Sequence, residues 1–197
     1  RWSESEIRAW RTQLDAERRE RSLGCRRLSA YAHLQTFGLP PCYASQKMGK
    51  DIMTHSSGVV ETATATICIF DVGAIKHRVD DVIDWWLIAA NELAEVQNGN
   101  VLFLNAGADG TYQLKISDEI TPNAASYNLN TPSGRVFIGA GEEVSGGGFE
   151  PEGISGFFIE MQQPNHKVSV YRDGQRLTVK FEAAPAARND LSELIRV

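Results

Sequence analysis

The sequence has few cysteines and no long apolar run. Its cysteines, Cys25, Cys42 and Cys68, match neither the spacing of a zinc site nor a disulfide framework. We therefore interpret them as free thiols of a reducing compartment, which predicts a cytoplasmic protein. No apolar segment approaches the roughly 20 residues that span a bilayer, and no signal peptide is visible. These absences argue against a disulfide-stabilised secreted protein and predict no membrane partner.

The motifs of common enzymes and metal sites are also missing. The glycines at 146–148 lack the lysine and the strand-to-helix context of a phosphate-binding loop. No histidine has a second His or Cys at zinc-ligand spacing. His77 lies near three aspartates, but a hydrolase would also need a nucleophile and an oxyanion donor, and neither is evident. We predict no enzymatic activity, no catalytic residues, no metal and no cofactor.

The charge is distributed unevenly along the 197 residues. Residues 1–52 carry ten Lys or Arg against six Asp or Glu, whereas residues 53–197 carry ten against nineteen. An acidic body repels nucleic acid, whose phosphates dominate its attraction to proteins, and favours a basic protein partner. The change in charge also divides the chain into a predicted N-terminal appendage, 1–52, and a main domain, 53–197. Met53 is an alternative natural start.

The appendage is predicted to be helical. Ser3 and Glu6 form a capping box, and no Gly or Pro follows until Gly24. Apolar residues recur at helical spacing in this segment, and a second short helix fits residues 28–37. Residues 45–60 lack periodicity and are interpreted as a linker.

The main domain is predicted to be mostly β, within the α+β class. Strand patterns cover residues 62–70, 101–104, 111–116, 135–140, 156–162, 167–172 and 175–181. About seven strands joined mostly by short turns indicate an antiparallel β-sandwich or an open barrel. One inserted helix is predicted over 88–96, and a short terminal helix over 189–197.

Two hairpins are predicted among these strands. Residues 101–104 and 111–116 are close enough to pair through a glycine-containing connection. A type I′ turn at Asp173-Gly174 would place Arg172 opposite Gln175 and all the aliphatic residues of both strands on one face.

The candidate partner-binding surface lies in the acidic connection that precedes the inserted helix. Two adjacent tryptophans cannot both point into the core from one regular strand or helix, so we expect at least one to be partly exposed. An exposed indole beside carboxylates would anchor a partner that the charges attract. The residues are Asp80, Asp81, Asp84, Trp85 and Trp86, with Glu142 and Glu143 as a second patch. Calcium binding by the same carboxylates is a minor alternative.

Several segments of the main domain resemble a group of small bacterial proteins without an assigned function. They are ICIFD at 67–71, IKHR at 75–78, DWW at 84–86, ELAE at 92–95, GNV at 99–101 and DGTY at 109–112. Members of that group are often encoded beside toxin effectors of interbacterial competition. The resemblance covers roughly 60–181 and does not extend to 1–52.

The resemblance implies an immunity protein, including the kind paired with type VI secretion effectors. Such a protein is a cytoplasmic inhibitor that binds its cognate toxin and occludes it without catalysis. The acidic surface agrees with a basic target such as a nuclease domain. The alternative is a β-sandwich module that binds a small ligand, either a sugar or a divalent ion.

Overall fold

A computed structural model describes residues 57–78, 80–82, 84–144, 151 and 155–197. The predicted helical appendage, the predicted linker up to residue 56 and the glycine triplet at 146–148 lie outside these ranges. The described residues form one α-helix and nine strands. They are β1 Ser57–Thr62, β2 Thr66–Asp71, α1 Ala89–Asn98, β3 Val101–Asn105, β4 Gly110–Ile116, β5 Ala125–Asn130, β6 Arg135–Ala140, β7 Gly156–Glu160, β8 Asn165–Asp173 and β9 Arg176–Ala183.

The strands form two sheets packed as a sandwich, which confirms the predicted mostly β class. One sheet has five strands in the order β1-β4-β9-β8-β5, and the other has four in the order β3-β2-β6-β7. β4 and β9 pair in parallel, while the other pairings between these strands are antiparallel. Short 3-10 turns at Lys76–Arg78, Trp85–Leu87 and Gly141–Glu143 complete the described elements.

The core lies between the sheets and also beneath one outer face. Strand β2 is buried at every position, so it is covered on both faces. Its inner face includes Ile69, which is paired with Ile138, and the neighbouring Phe157 contacts Gly58 of the opposite sheet. Its outer face carries Cys68, which is paired with Phe103. Something other than the second sheet must therefore cover Phe103.

The strand predicted over 62–70 matches β2, which begins only at Thr66, while Thr62 ends β1 in the other sheet. The predicted linker 45–60 is therefore wrong over 57–60, which belong to β1. Ala65 between the two strands has φ 54°, which turns the chain sharply. Thr62 Oγ1 accepts hydrogen bonds from the backbone N–H groups of Thr64 and Thr66 at 3.2 and 3.4 Å. The hydroxyl thus stabilises a corner that β-branched residues on both sides conceal in the sequence.

The hairpin predicted between 101–104 and 111–116 is wrong. β3 pairs with β2 in the four-stranded sheet, whereas β4 pairs with β1 and β9 in the five-stranded sheet. The connection therefore crosses from one sheet to the other. β3 is almost completely buried, and β4 buries alternate residues, so the two strands do not have the matching patterns of one hairpin.

The hairpin of β8 and β9 exists, with a register two residues away from the predicted one. Arg172 pairs with Leu177, and Asp173 pairs with Arg176. A shift of two residues preserves the face of every side chain, so the alternating aliphatic residues are buried together as predicted.

The inserted helix is confirmed, while the predicted terminal helix over 189–197 is wrong. Gly99 ends α1 in the left-handed conformation, with φ 73°. Asn189, expected to begin a helix, instead donates from Nδ2 to the carbonyl of Val96 at 2.7 Å. Beyond it the chain forms no helix, and Arg196 makes a parallel bridge with Asn105 at the edge of β3.

Candidate functional site

The connection from β2 to α1 covers the outer face of the four-stranded sheet. Trp86 stacks on Phe103 with ring centroids 5.4 Å apart, and Trp85 meets the same ring edge-on at 6.2 Å. Trp85 is 1% exposed and Trp86 3%. The expectation that one indole is exposed is wrong, because the chain is neither a strand nor an α-helix here and its 3-10 turn directs both rings inward. Neither indole is available to anchor a partner.

The three predicted aspartates lie at the outside of this connection. Asp80 and Asp84 are exposed. Asp81 is half-buried and accepts a hydrogen bond from Arg78 NH1 at 2.8 Å. Asp80 and Asp84 therefore present carboxylates to solvent, while Asp81 also stabilises the connection.

Glu95 of α1 holds the connection in place from beneath. This buried carboxylate lies 2.8 Å from His77 Nε2, and it accepts bonds from Arg78 Nε and NH2, each at 2.7 Å. Its second oxygen accepts from Asn100 Nδ2 at 2.8 Å. Burial raises the pKa of Glu95, but the hydrogen bonds from Asn100, His77 and Arg78 outweigh it and lower the pKa below its ordinary value.

Arg78 joins this carboxylate to the aromatic layer. Its guanidinium carbon lies 4.7 Å from the centroid of the Trp85 ring, close enough for a cation–π interaction. The hydrogen bond that Arg78 donates to Asp81 is the main cause that raises the pKa of Arg78. Arg78 thus stays charged and connects α1, the buried indole and the acidic turn.

Exposed apolar residues accompany the carboxylates, and sequence reasoning missed them. Val82 is 70% exposed, Leu87 57% and Ile88 54%. Ala89 and Ala90, in the first turn of α1, are also exposed. The signal in the sequence is the apolar run LIAA at 87–90, directly after the tryptophans. We call Asp80, Val82, Asp84 and the residues 87–90 the 80–90 surface.

Glu92 lies one helical turn beyond this apolar run. Its backbone N–H donates to the carbonyl of Ile88 at 3.0 Å, and the residue is 9% exposed. Burial raises the pKa of Glu92 to about 7. A carboxyl that changes charge near neutral pH therefore lies beside the 80–90 surface.

Glu142 and Glu143, the predicted second patch, both accept hydrogen bonds inside the fold. Glu142 accepts from Thr62 Oγ1 at 3.0 Å and from the backbone N–H of Ala63. Glu143 accepts from the backbone N–H of Ser155 at 3.1 Å. Glu142 thus stabilises the corner between β1 and β2, and Glu143 stabilises the start of β7.

His77, the candidate base of a hydrolase, is oriented by Glu95 rather than by the nearby aspartates.

Within the described ranges, no three His, Cys, Asp or Glu side chains form a group that could hold a metal ion. The described helix is also too short and too polar to cross a membrane.

Comparison with solved structures gives two distant resemblances. One is ComJ from Bacillus subtilis, an inhibitor of the DNA-degrading activity of NucA. It is 8% identical with a TM-score of 0.42, over 66% of this chain and 96% of ComJ. The other is the product of crocagin biosynthetic gene J, 12% identical with a TM-score of 0.42, over 66% of this chain and 98% of that one. No curated protein matches the sequence.

A family model matches a longer part of the chain. It covers residues 53–197, which include both sheets, α1 and the 80–90 surface. The chain therefore belongs to DUF6386, a family of unknown function.

Proposed function

We propose that this protein is a non-catalytic cytoplasmic inhibitor, an immunity protein that binds a cognate toxin effector through the 80–90 surface and occludes it. The observation that carries the proposal is the exposed apolar run at 87–90 together with Val82, beside two solvent-facing aspartates. Clustered exposed aliphatic residues on a soluble protein mark interaction sites. The resemblance to immunity proteins supplies the class of partner.

The chemistry of the surface specifies what the partner must offer. Leu87 and Ile88 need an apolar pocket, because burying an aliphatic side chain contributes about 1.5–3 kcal/mol. Asp80 and Asp84 would lie at the rim of that pocket and attract basic side chains during approach. A toxin with an apolar cleft bordered by Lys and Arg meets both requirements, and a nuclease domain is one such protein.

Contacts on the inner side of the connection attach it to the fold on both sides of the aspartates, which supports a binding role. Glu95 fixes His77 and Arg78, while the stack of Trp86 on Phe103 fixes the following turn. Residues that are already ordered lose little conformational entropy on association, so more of the contact energy becomes affinity. The buried indoles of Trp85 and Trp86 do not contact the partner in this proposal, and instead they support the binding surface from the inside.

The first test removes the aliphatic contacts. The double variant Leu87→Ser with Ile88→Ser should weaken binding to the toxin encoded beside this chain at least about 30-fold, because two anchors lose their pocket contacts. Affinity is measured by biolayer interferometry and protection by survival of toxin-expressing cells. The matched control is Val59→Ser, which removes an exposed aliphatic residue on β1. Equal binding by the double variant and the control would contradict the proposal.

The charged part of the surface is tested separately. Replacing Asp80 and Asp84 by Lys should slow association about tenfold or more and reduce its dependence on salt, while dissociation changes less. Asp109→Lys reverses an exposed charge elsewhere and serves as the control. Association that keeps its rate and salt dependence in the double variant would exclude these aspartates from the interface.

A further inference from the structure

The fold covers the edges of its sheets with particular residues, and β7 is the exception among the described strands. At β3, Asn105 N donates to Ile195 O at 3.0 Å. At β5, Asn128 N donates to Asn189 Oδ1 at 2.7 Å. At β1, Glu61 N donates to Ser155 Oγ at 2.7 Å. No described residue makes an equivalent bond to the outer edge of β7.

The backbone groups at that edge can be identified from the pairing of β7 with β6. Met161 N donates to Gly134 O at 2.7 Å and Ala140 N to Ser155 O at 2.8 Å. Antiparallel strands alternate between hydrogen-bonded and non-hydrogen-bonded pairs, so positions 155, 157, 159 and 161 direct their backbone groups toward β6. Gly156, Phe158 and Glu160 direct their N–H and C=O groups away from it, toward the open edge.

The side chains of β7 lack the features that usually protect an edge. Natural edge strands carry lysine, proline or a bulge that prevents another strand from pairing. Here Phe157, Phe158 and Ile159 are all partly exposed, and the end residue Glu160 is the charged one. Phe158 already forms one side of a layer, with Phe137 at 5.2 Å and the Arg135 guanidinium at 4.0 Å from its ring centroid.

We propose that β7 pairs antiparallel with β7 of a second copy of this chain, with Phe158 opposite Phe158. This register joins the two four-stranded sheets into one continuous sheet across a two-fold axis. Each outward N–H of Gly156, Phe158 and Glu160 then meets an outward C=O of the other copy. The inference is independent of the proposed inhibitory function and of the 80–90 surface.

A second copy fits this edge because the register is complementary to itself. Glu160 faces Gly156 of the other copy, so no like charges are opposed, and opposed like charges destabilise strand pairs. The two Phe158 rings meet at the axis and extend the layer begun by Phe137. Two five-residue strands bury less than the roughly 1,200 Å² of a stable interface, so the dimer should dissociate on dilution.

The test is sedimentation velocity of the full chain over a wide concentration range. The wild-type chain should shift reversibly from monomer to dimer as concentration rises. Glu160→Pro removes an outward N–H but no bond to β6, and it should weaken the dimer at least about tenfold. Glu160→Ala keeps that N–H and should preserve the dimer. A monomer at every concentration, or a dimer equally stable in both variants, would overturn the proposal.

Cross-linking tests the register directly. Directly opposed residues of a hydrogen-bonded antiparallel pair have Cα atoms about 5.5 Å apart, within reach of a disulfide. Phe158→Cys should therefore form a disulfide-linked dimer under mild oxidation. Thr178→Cys, on the outer face of the other sheet, and the wild-type chain with its natural cysteines are the controls. Cross-linking of Phe158→Cys no greater than in these controls would exclude this register.

Discussion

Two glutamates of α1, three residues apart, have opposite electrostatic environments. Glu95 is surrounded by the donors His77, Arg78 and Asn100, which hold it ionised. Glu92 has its pKa raised to about 7 by burial. The two carboxyls therefore affect the pH dependence of the free energy of unfolding in opposite directions.

For Glu92, the folded state has a higher pKa than the unfolded state, whose carboxyl titrates near the ordinary value of 4.5. Its stabilising effect is complete below about pH 4.5 and is lost as the pH rises through about 7. Glu92→Gln should equal the wild type near pH 4.5 and be more stable by about 1–3 kcal/mol at pH 8. Urea unfolding at several pH values measures this difference.

Glu193→Gln is the control, because it removes the same charge from an exposed position. Its unfolding shows what the loss of one surface charge does to stability. A Glu92→Gln variant whose unfolding follows the wild-type profile from pH 5 to 8 would show that the carboxyl is solvated in the folded protein.

At the scale of elements, the corner between β1 and β2 explains why the strand prediction was only partly right. The sequence showed seven of the nine described strands, because alternating or continuous apolar residues persist along them. It missed β1 and also β5, whose residues are mostly exposed or only partly buried. It did not show the corner, because Thr62–Thr66 contains neither Gly nor Pro, and the bend depends on a hydroxyl and on Glu142 from 76 to 80 positions away. Contacts this distant in sequence leave no local pattern.

The same corner gives a stability prediction. Ala65 has φ 54°, where a side chain costs about 1–2 kcal/mol and glycine does not. Glycine also makes the unfolded chain more flexible, which offsets about 0.4–1 kcal/mol. Ala65→Gly should therefore stabilise the protein by up to about 1 kcal/mol in thermal unfolding. Ala63→Gly, the same change two positions earlier without a positive φ, should destabilise it.

The candidate site was also predicted in part. The sequence located the acidic connection, because Asp80, Asp81 and Asp84 are three aspartates within five positions. The direction of the indoles depends on the 3-10 turn and on Phe103, which is distant in sequence. Trp85 and Trp86 are both buried, whereas Leu87 and Ile88 are exposed. The usual burial preferences of these residue types do not predict which of the four apolar side chains point outward.

On the scale of the whole molecule, Arg172 links the two sheets. It belongs to β8 in the five-stranded sheet, and its NH1 donates to Ala106 O at 2.5 Å and to Val197 O at 2.9 Å. Ala106 directly follows β3 of the other sheet, and the chain near Val197 covers the edge of β3. The guanidinium also lies 5.3 Å from the Tyr112 ring centroid.

Removing this link should loosen the sandwich. Arg172→Met keeps much of the apolar stem but leaves both carbonyls without their charged donor, and we expect a loss of about 2–4 kcal/mol in urea unfolding. Hydrogen exchange should accelerate at Val197, whose N–H bonds to Asn105. Arg176→Met, at an exposed position of β9, is the control. Equal stability of the two variants would show that Arg172 does not join the sheets.

Within the β2–α1 connection, the residues that pack into the fold are separate from those of the proposed binding surface. Trp85 and Trp86 contribute to folding, while Asp80, Val82, Leu87 and Ile88 face outward from the same short stretch. If the 80–90 surface binds the toxin as proposed, substitutions at these four positions would alter which toxin is bound and leave the scaffold intact. A library confined to those four codons would then offer a route to retargeting the inhibitor.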